Sequence, residues 1–215
     1  FQDSLQISKA SSAMVQAVVY GGYFLMALPA GAIIKRFGYR AGVLTGLCLY
    51  GIGALLFIPA SKVLTFGFFL FALFVIGCGL TCLETAANPY VTVLGPKDSA
   101  ERRINLAQSL NGLGWIVGPL VGGLLLFSGS GDNTMALALP YTIVGAVVLM
   151  VAVVFTRVKL PEINEPARSG VSGIENASNS LWQYRHFVLG LVALFAYVAA
   201  QTGINSFFIN YMIEN

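Results

Sequence analysis

Charge is scarce in this chain. Asp, Glu, Lys and Arg make up only 10% of its 215 residues, where soluble domains carry about 25%. With 57% hydrophobic residues and a mean hydropathy of +0.78, a soluble protein of this size would have nowhere to place its apolar surface. The composition is that of a membrane protein. Histidine occurs once and cysteine three times. Cys48, Cys78 and Cys82 all lie inside apolar runs, with no Cys-x-x-Cys or Cys/His spacing. They read as small packing residues rather than metal ligands or a disulfide framework. HExxH, GxSxG and a paired-aspartate motif are absent, so the chain is not expected to be an enzyme. No filter-like loop or ring of charge suggests a channel. The few basic residues stand in short clusters between apolar runs, which argues against a nucleic-acid partner. The apolar runs lack two-residue alternation, which argues against a β-barrel. There is no initiator Met and no signal peptide, and the polar opening Phe1–Lys9 reads as the middle of a longer protein.

What the chain does have is six apolar segments. They run from about Ser11 to Ile34, Ala41 to Ala60, Thr65 to Leu94, Ile104 to Phe127, Met135 to Phe155 and Phe187 to Ile213. A spanning helix needs about 20 apolar residues, so each segment is expected to cross a bilayer. The connections agree on an orientation. One side receives Lys35, Arg36 and Arg40, then Lys97, Arg102 and Arg103, then Arg157, Lys159, Arg168 and Arg185. The other side receives only Lys9 and Lys62. The positive-inside rule assigns the first group to the cytoplasm. Most connections are short, but Arg157–His186 is long, polar and contains Pro161, Pro166, Gly170 and Gly173. It reads as a cytoplasmic linker between two membrane bundles. The expected organisation is a bundle over residues 1–156, a linker over 157–186, and the first helix of a second bundle over 187–215. The sequon at Asn176 falls in the cytoplasmic linker and reads as chance. His186, beside Arg185 at the linker's end, reads as a membrane-edge anchor.

Glu84 is the sole charged residue between Lys62 and Lys97. Insertion scales assign a central Asp about 2.5–3.5 kcal/mol, and a Glu comparably. Intramembrane carboxyl groups usually face a water-filled cavity and bind a substrate, an ion or a proton. Helical spacing groups further polar residues. Glu84 and Asn88 share a face at i,i+4, and Gln108 and Asn111 share one at i,i+3 on the next helix. Tyr197, Gln201 and Asn205 form a stripe on the last helix, and Gln16, Tyr20 and Tyr23 form one on the first. Amides both donate and accept hydrogen bonds, and aromatic rings stack on the apolar face of a pyranose. A cavity of amides and phenols without a basic cluster suits an uncharged, hydroxyl-rich ligand such as a sugar. Interhelical bonding is the competing use of such amides, at about 1 kcal/mol per bond.

Three motifs carry a resemblance. The first cytoplasmic loop reads Gly31-Ala-Ile-Ile-Lys35-Arg36-Phe37-Gly38-Tyr39-Arg40. It resembles the Gly-x-x-x-Asp-Arg-x-Gly-Arg-Arg loop between the second and third helices of the major facilitator superfamily. Gly31, Arg36, Gly38 and Arg40 match, while Lys35 replaces the usual Asp. These four are the candidate residues of a cytoplasmic gate loop: glycine permits a tight turn and close helix approach, and arginine binds helix C-terminal carbonyls. Gly114-x-x-x-Gly118-Pro119-x-x-Gly122-Gly123 resembles the glycine-proline motif of that superfamily's fifth helix, and its small residues are expected to let helices pack closely. Leu83-Glu84-Thr85-Ala86-Ala87-Asn88-Pro89-Tyr90-Val91-Thr92-Val93-Leu94-Gly95-Pro96, followed by Arg103-Ile104-Asn105-Leu106-Ala107-Gln108-Ser109-Leu110-Asn111, is similar to the fucose–galactose–glucose:proton symporter family.

The resemblance extends from Gln16–Pro29 to Tyr197-Val-Ala-Ala-Gln201-Thr202. It implies an all-α major facilitator bundle, here partial, covering about helices two to seven of twelve. It implies a multi-pass protein of the bacterial inner membrane, a monomer in lipid, that takes up a monosaccharide (L-fucose, glucose or galactose) with a proton. No cofactor is implied beyond the proton as coupling ion. Glu84 and Asn111 would face the central cavity, and the family's proton-carrying Asp would lie on a helix preceding this chain. The alternative reading is an exporter of drugs or metabolites by proton antiport.

Overall fold

Long apolar runs without interior charge favour helices that satisfy their own backbone, the form a bilayer demands. A computed structural model describes residues 9–63, 65–127, 133–158 and 184–214, with side chains over 14–63, 65–124, 138–158 and 184–204. The described residues form α1 (Lys9–Leu55), α2 (Phe57–Val63), α3 (Phe66–Val93), α4 (Ala100–Phe127), α5 (Asn133–Arg157) and α6 (Arg185–Glu214). A 3-10 turn at Lys97–Ser99 precedes α4. The contacts divide the chain into two units, Phe1–Asn164 and Glu165–Asn215. The second contains α6.

α1 is 47 residues long. At 1.5 Å per residue a straight helix of that length would reach about 70 Å, twice the hydrocarbon core. It is broken at Gly38, where φ is +83° and ψ is 171°. A side chain at this φ would be strained, so the position requires glycine. The sequence predicted a short loop here. The structure instead reverses the chain around this one residue, and a Cβ at Gly31 would meet nothing within 4 Å. Of the two motif glycines, Gly38 makes the turn, and Gly31 makes no close helix contact among the described residues. α2 follows with little interruption: Leu56 N donates to Ile52 O at 3.0 Å and Ala60 N to Leu56 O at 3.1 Å.

Both arms of α1 pack on α3. The first arm runs parallel to α3, pairing Val19 with Gly77 and Gly22 with Phe74 and Cys78. The second runs antiparallel, pairing Gly42 with Ala86, Gly46 with Leu83 and Gly53 with Ile76. Glycines let these backbones approach closely. A Cβ on Gly77 would stand 2.7 Å from Val19 O, and one on Gly22 would stand 2.9 Å from Phe74 O. Such small-residue contact is a main source of helix association in lipid, where water no longer drives apolar burial. The glycine-proline stretch of α4 differs from its expected role. A Cβ at Gly114, Gly118, Gly122 or Gly123 would meet nothing within 4 Å, so the close packing among the described residues is made by other glycines.

The core lies between α1, α2, α3 and α5. Ala54, Phe57, Ala60, Phe69, Ala72, Leu73 and Ile76 form one buried cluster, and Val43, Leu47, Ala86 and Ala152 a second. Phe57 stacks on Tyr141, with ring centroids 3.7 Å apart, and meets Phe69 edge-on at 5.6 Å. α4 touches α3 and α5 but leaves Leu106, Leu110, Trp115, Ile116, Leu120 and Leu124 exposed.

Four stretches are long and apolar enough to cross a membrane: Met14–Val63, Phe66–Val93, Ala138–Arg157 and Arg185–Ile204. The first holds both arms of α1 and so covers two of the six expected spans. α4 is not among them, although its 28 residues suffice in length. Its polar residues Asn105, Gln108, Ser109 and Asn111 stand in the first half, and the second half, from Leu113 to Phe127, carries no charged residue.

Candidate functional site

The cytoplasmic end is organised by arginines on carbonyl groups. Arg40 Nη2 donates to Thr156 O at 2.9 Å and to Phe155 O at 3.4 Å, at the C-terminal end of α5. The Tyr39 and Tyr90 rings lie 5.8 Å apart, which sets the α1 reversal beside the end of α3. Arg103 reaches back from α4 to α3, where Nε donates to Val91 O at 3.0 Å and Nη2 to Thr92 O at 2.6 Å. Its Nη1 donates to Pro96 O at 2.9 Å and to Ser99 Oγ. Helix C-termini carry partial negative charge and unsatisfied carbonyls, so a guanidinium suits them. Arg40, Arg103 and Arg157 therefore sit at one end of the bundle, the end that the loop charges assign to the cytoplasm. Arg103 had read only as loop charge in the sequence; its position eight residues after Gly95 gives no direct signal of four acceptors. Arg36 lies over its neighbour Phe37, 5.2 Å from the ring centroid.

Further along α3, the polar side chains come together. Glu84 is exposed on the helix face. Tyr23 Oη, from the first arm of α1, donates to Glu84 Oε1 at 3.2 Å. Tyr20 lies beside Tyr23 with ring centroids 6.1 Å apart and planes at 46°. One turn below Glu84, Asn88 Oδ1 accepts from Gln108 Nε2 of α4 at 3.1 Å, and Gln108 Oε1 accepts from Asn111 Nδ2 at 3.4 Å. The four predicted residues on α3 and α4 thus form one polar face. A phenol and a carboxylate stand at one end and a relay of three amides at the other. No Lys or Arg pairs with Glu84 among the described residues, and no cluster there could hold a metal ion.

The other candidates stand apart. Gln16 is exposed one turn before Tyr20 and makes no hydrogen bond among the described residues. Tyr197 and Gln201 are exposed at i,i+4 on α6, within the second unit. The side chain of Asn205 lies outside the described residues. Tyr23 belonged to the sequence stripe, but only the structure ties it to Glu84.

Among the described residues, an all-helical bundle of long apolar spans with a carboxylate and amides on one face is the architecture of a multi-span membrane protein. The chain belongs to the Major Facilitator Superfamily, whose model matches residues 1–214. It is 38% identical over 216 residues to a glucose/galactose transporter of Brucella abortus, covering 97% of this chain and 51% of that protein. It is 37% identical over 236 residues to the L-fucose-proton symporter of Escherichia coli, covering 100% of this chain and 54% of that protein. Among solved structures, the E. coli fucose:proton symporter superposes with a TM-score of 0.73 at 36% identity, covering 95% of this chain and 55% of that one. A second structure of that transporter, in the outward conformation, gives a TM-score of 0.74 at 35% identity, covering 97% and 56%. The chain spans about half the length of these relatives.

Proposed function

We propose that this chain forms one half of a secondary active transporter that takes up a monosaccharide together with a proton by alternating access. L-fucose is the favoured substrate, with glucose and galactose as the alternatives; relatives of both names are similar to the chain to nearly the same degree. The proposed setting is the bacterial inner membrane, with the protein a monomer in lipid and no cofactor but the coupling proton. The observation that carries the reading is Glu84, a carboxylate inside a membrane helix with a phenol on one oxygen and no cationic partner among the described residues. Its second oxygen remains for a sugar hydroxyl or a proton. Asn88, Gln108 and Asn111 offer further donors and acceptors next to it. Tyr20 adds a ring for the apolar sugar face, and Gln16, Tyr197, Gln201 and Asn205 are proposed to line the remainder of the path.

Substrate would bind near the bilayer midplane between two half-bundles that rock around it. The loop of Gly31, Arg36, Gly38 and Arg40 would act at the cytoplasmic gate, with Arg40 fixing α5 to the reversal at Gly38. Glu84 would accept a proton when open to one side and release it on the other. The test is sugar-dependent alkalinisation in energised vesicles carrying the full-length protein. Glu84→Gln, which keeps the shape and removes the titrating group, is expected to abolish it. Normal alkalinisation in that variant would sink the reading, and net efflux in the same vesicles would favour export instead.

A further inference from the structure

We infer that Tyr23 is a positioning residue for Glu84, a hydrogen-bonded link through which the first arm of α1 holds the carboxylate. The inference rests on the transport reading of Glu84 but concerns a contact that can be measured without any sugar. Tyr23 and Glu84 are 61 residues apart in sequence and 3.2 Å apart in space. The tyrosine is half-buried, whereas Glu84 is exposed, so the phenol is the better-fixed partner. Its place is set by close backbone contact next door. A Cβ on Gly22 would stand 2.9 Å from Phe74 O and 3.2 Å from Cys78 N, and Cys78 Sγ approaches Gly22 O at 3.8 Å. The arm therefore cannot shift along α3 at this point without disturbing packed backbone. On its other side the Tyr23 ring rests against Tyr20.

A hydrogen bond to an ionised acceptor is shorter and stronger than a neutral one. Protonation of Glu84 would weaken the Tyr23 bond, and displacement of the arm would remove it. Occupancy of Glu84 and position of the arm are then two readings of one contact. The phenol takes Oε1, and Oε2 makes no hydrogen bond among the described residues.

The test uses the full-length protein in liposomes. Infrared difference spectra, recorded at a pH low enough to protonate it, identify the Glu84 carboxyl band by its loss in Glu84→Gln. Tyr23→Phe keeps the ring and its packing, and is expected to shift that band. Binding is then measured with L-fucose, D-glucose and D-galactose as probes. Tyr23→Phe is expected to weaken binding roughly tenfold in the wild-type background, a typical loss for a hydrogen bond to a charged group, and to cost clearly less in the Glu84→Gln background, where the phenol donates only to a neutral amide oxygen. An unchanged band, or losses that multiply in the double variant, overturns the inference. If none of the three sugars binds the wild-type protein, the transport reading fails, and the infrared band alone decides the contact.

Discussion

Glu84 stands out in sequence because a lone charge among the 33 uncharged residues between Lys62 and Lys97 costs more than packing alone would justify. Its surroundings are less legible. Helical spacing placed Glu84 above Asn88 and Gln108 beside Asn111, yet spacing within one helix says nothing about which helices touch. The bond between Gln108 and Asn88, and the one between Tyr23 and Glu84, are tertiary facts. The relay has a testable shape. Gln108 is its middle member, donating to Asn88 and accepting from Asn111. Gln108→Ala should therefore leave two amides without their partner, while Asn111→Ala removes one bond. Sugar affinity is expected to fall by about one order of magnitude for Gln108→Ala and by less for Asn111→Ala. Equal losses from the two variants would contradict the relay.

At the scale of the element, the helices and their order were readable, and the contacts that hold them were partly misread. The glycine-proline stretch of α4 drew attention as a packing motif, but Gly22, Gly46, Gly53, Gly77 and Gly79 approach neighbouring backbone most closely, and Gly42, Gly51 and Gly145 neighbouring side chains, among the described residues. Gly42-x-x-x-Gly46 is the one small-residue pair at four-residue spacing among them; the rest are not marked by spacing, since close approach depends on which face meets a neighbour. Adjacent glycines in α1 give a sharp comparison. A Cβ at Gly22 would press on Phe74 O, whereas one at Gly21 would meet nothing within 4 Å. Gly22→Ala is expected to destabilise by about 1–3 kcal/mol, the usual range for overpacking, and to lower the melting temperature in detergent. Gly21→Ala should leave it nearly unchanged. Arg103 supplies a second test. Arg103→Ala should lower the melting temperature by breaking the hold on Val91, Thr92, Pro96 and Ser99. Arg103→Lys should not restore it, because one ammonium cannot match a planar fork of donors.

At the scale of the molecule, loop charge set the orientation before any helix was placed, because the asymmetry of Lys and Arg recurs in separate connections. The hydrogen bonds of Arg40 and Arg103 and the pairing of Tyr39 with Tyr90 gather the first two of these connections and the end of α5 at one end. Cysteine labelling reads this directly. In a background with Cys48, Cys78 and Cys82 replaced by Ala, Lys62→Cys should react with a membrane-impermeant maleimide added outside the cell. Lys35→Cys should react only after the membrane is opened. The reverse pattern would invert the topology. The span count was less secure than the orientation, because α4 mixes the length of a membrane helix with the polarity of a binding surface.

That polarity has a consequence for how the protein is made. The first half of α4, with Asn105, Gln108, Ser109 and Asn111, is costly to expose to lipid as the helix leaves the ribosome. α3 precedes it, is far more apolar, and offers Asn88 and the carbonyls at its C-terminus as partners. Biogenesis would then proceed in pairs, with α3 entering first and escorting α4. The amides suited to a ligand in the finished protein would be sheltered by their neighbour during synthesis.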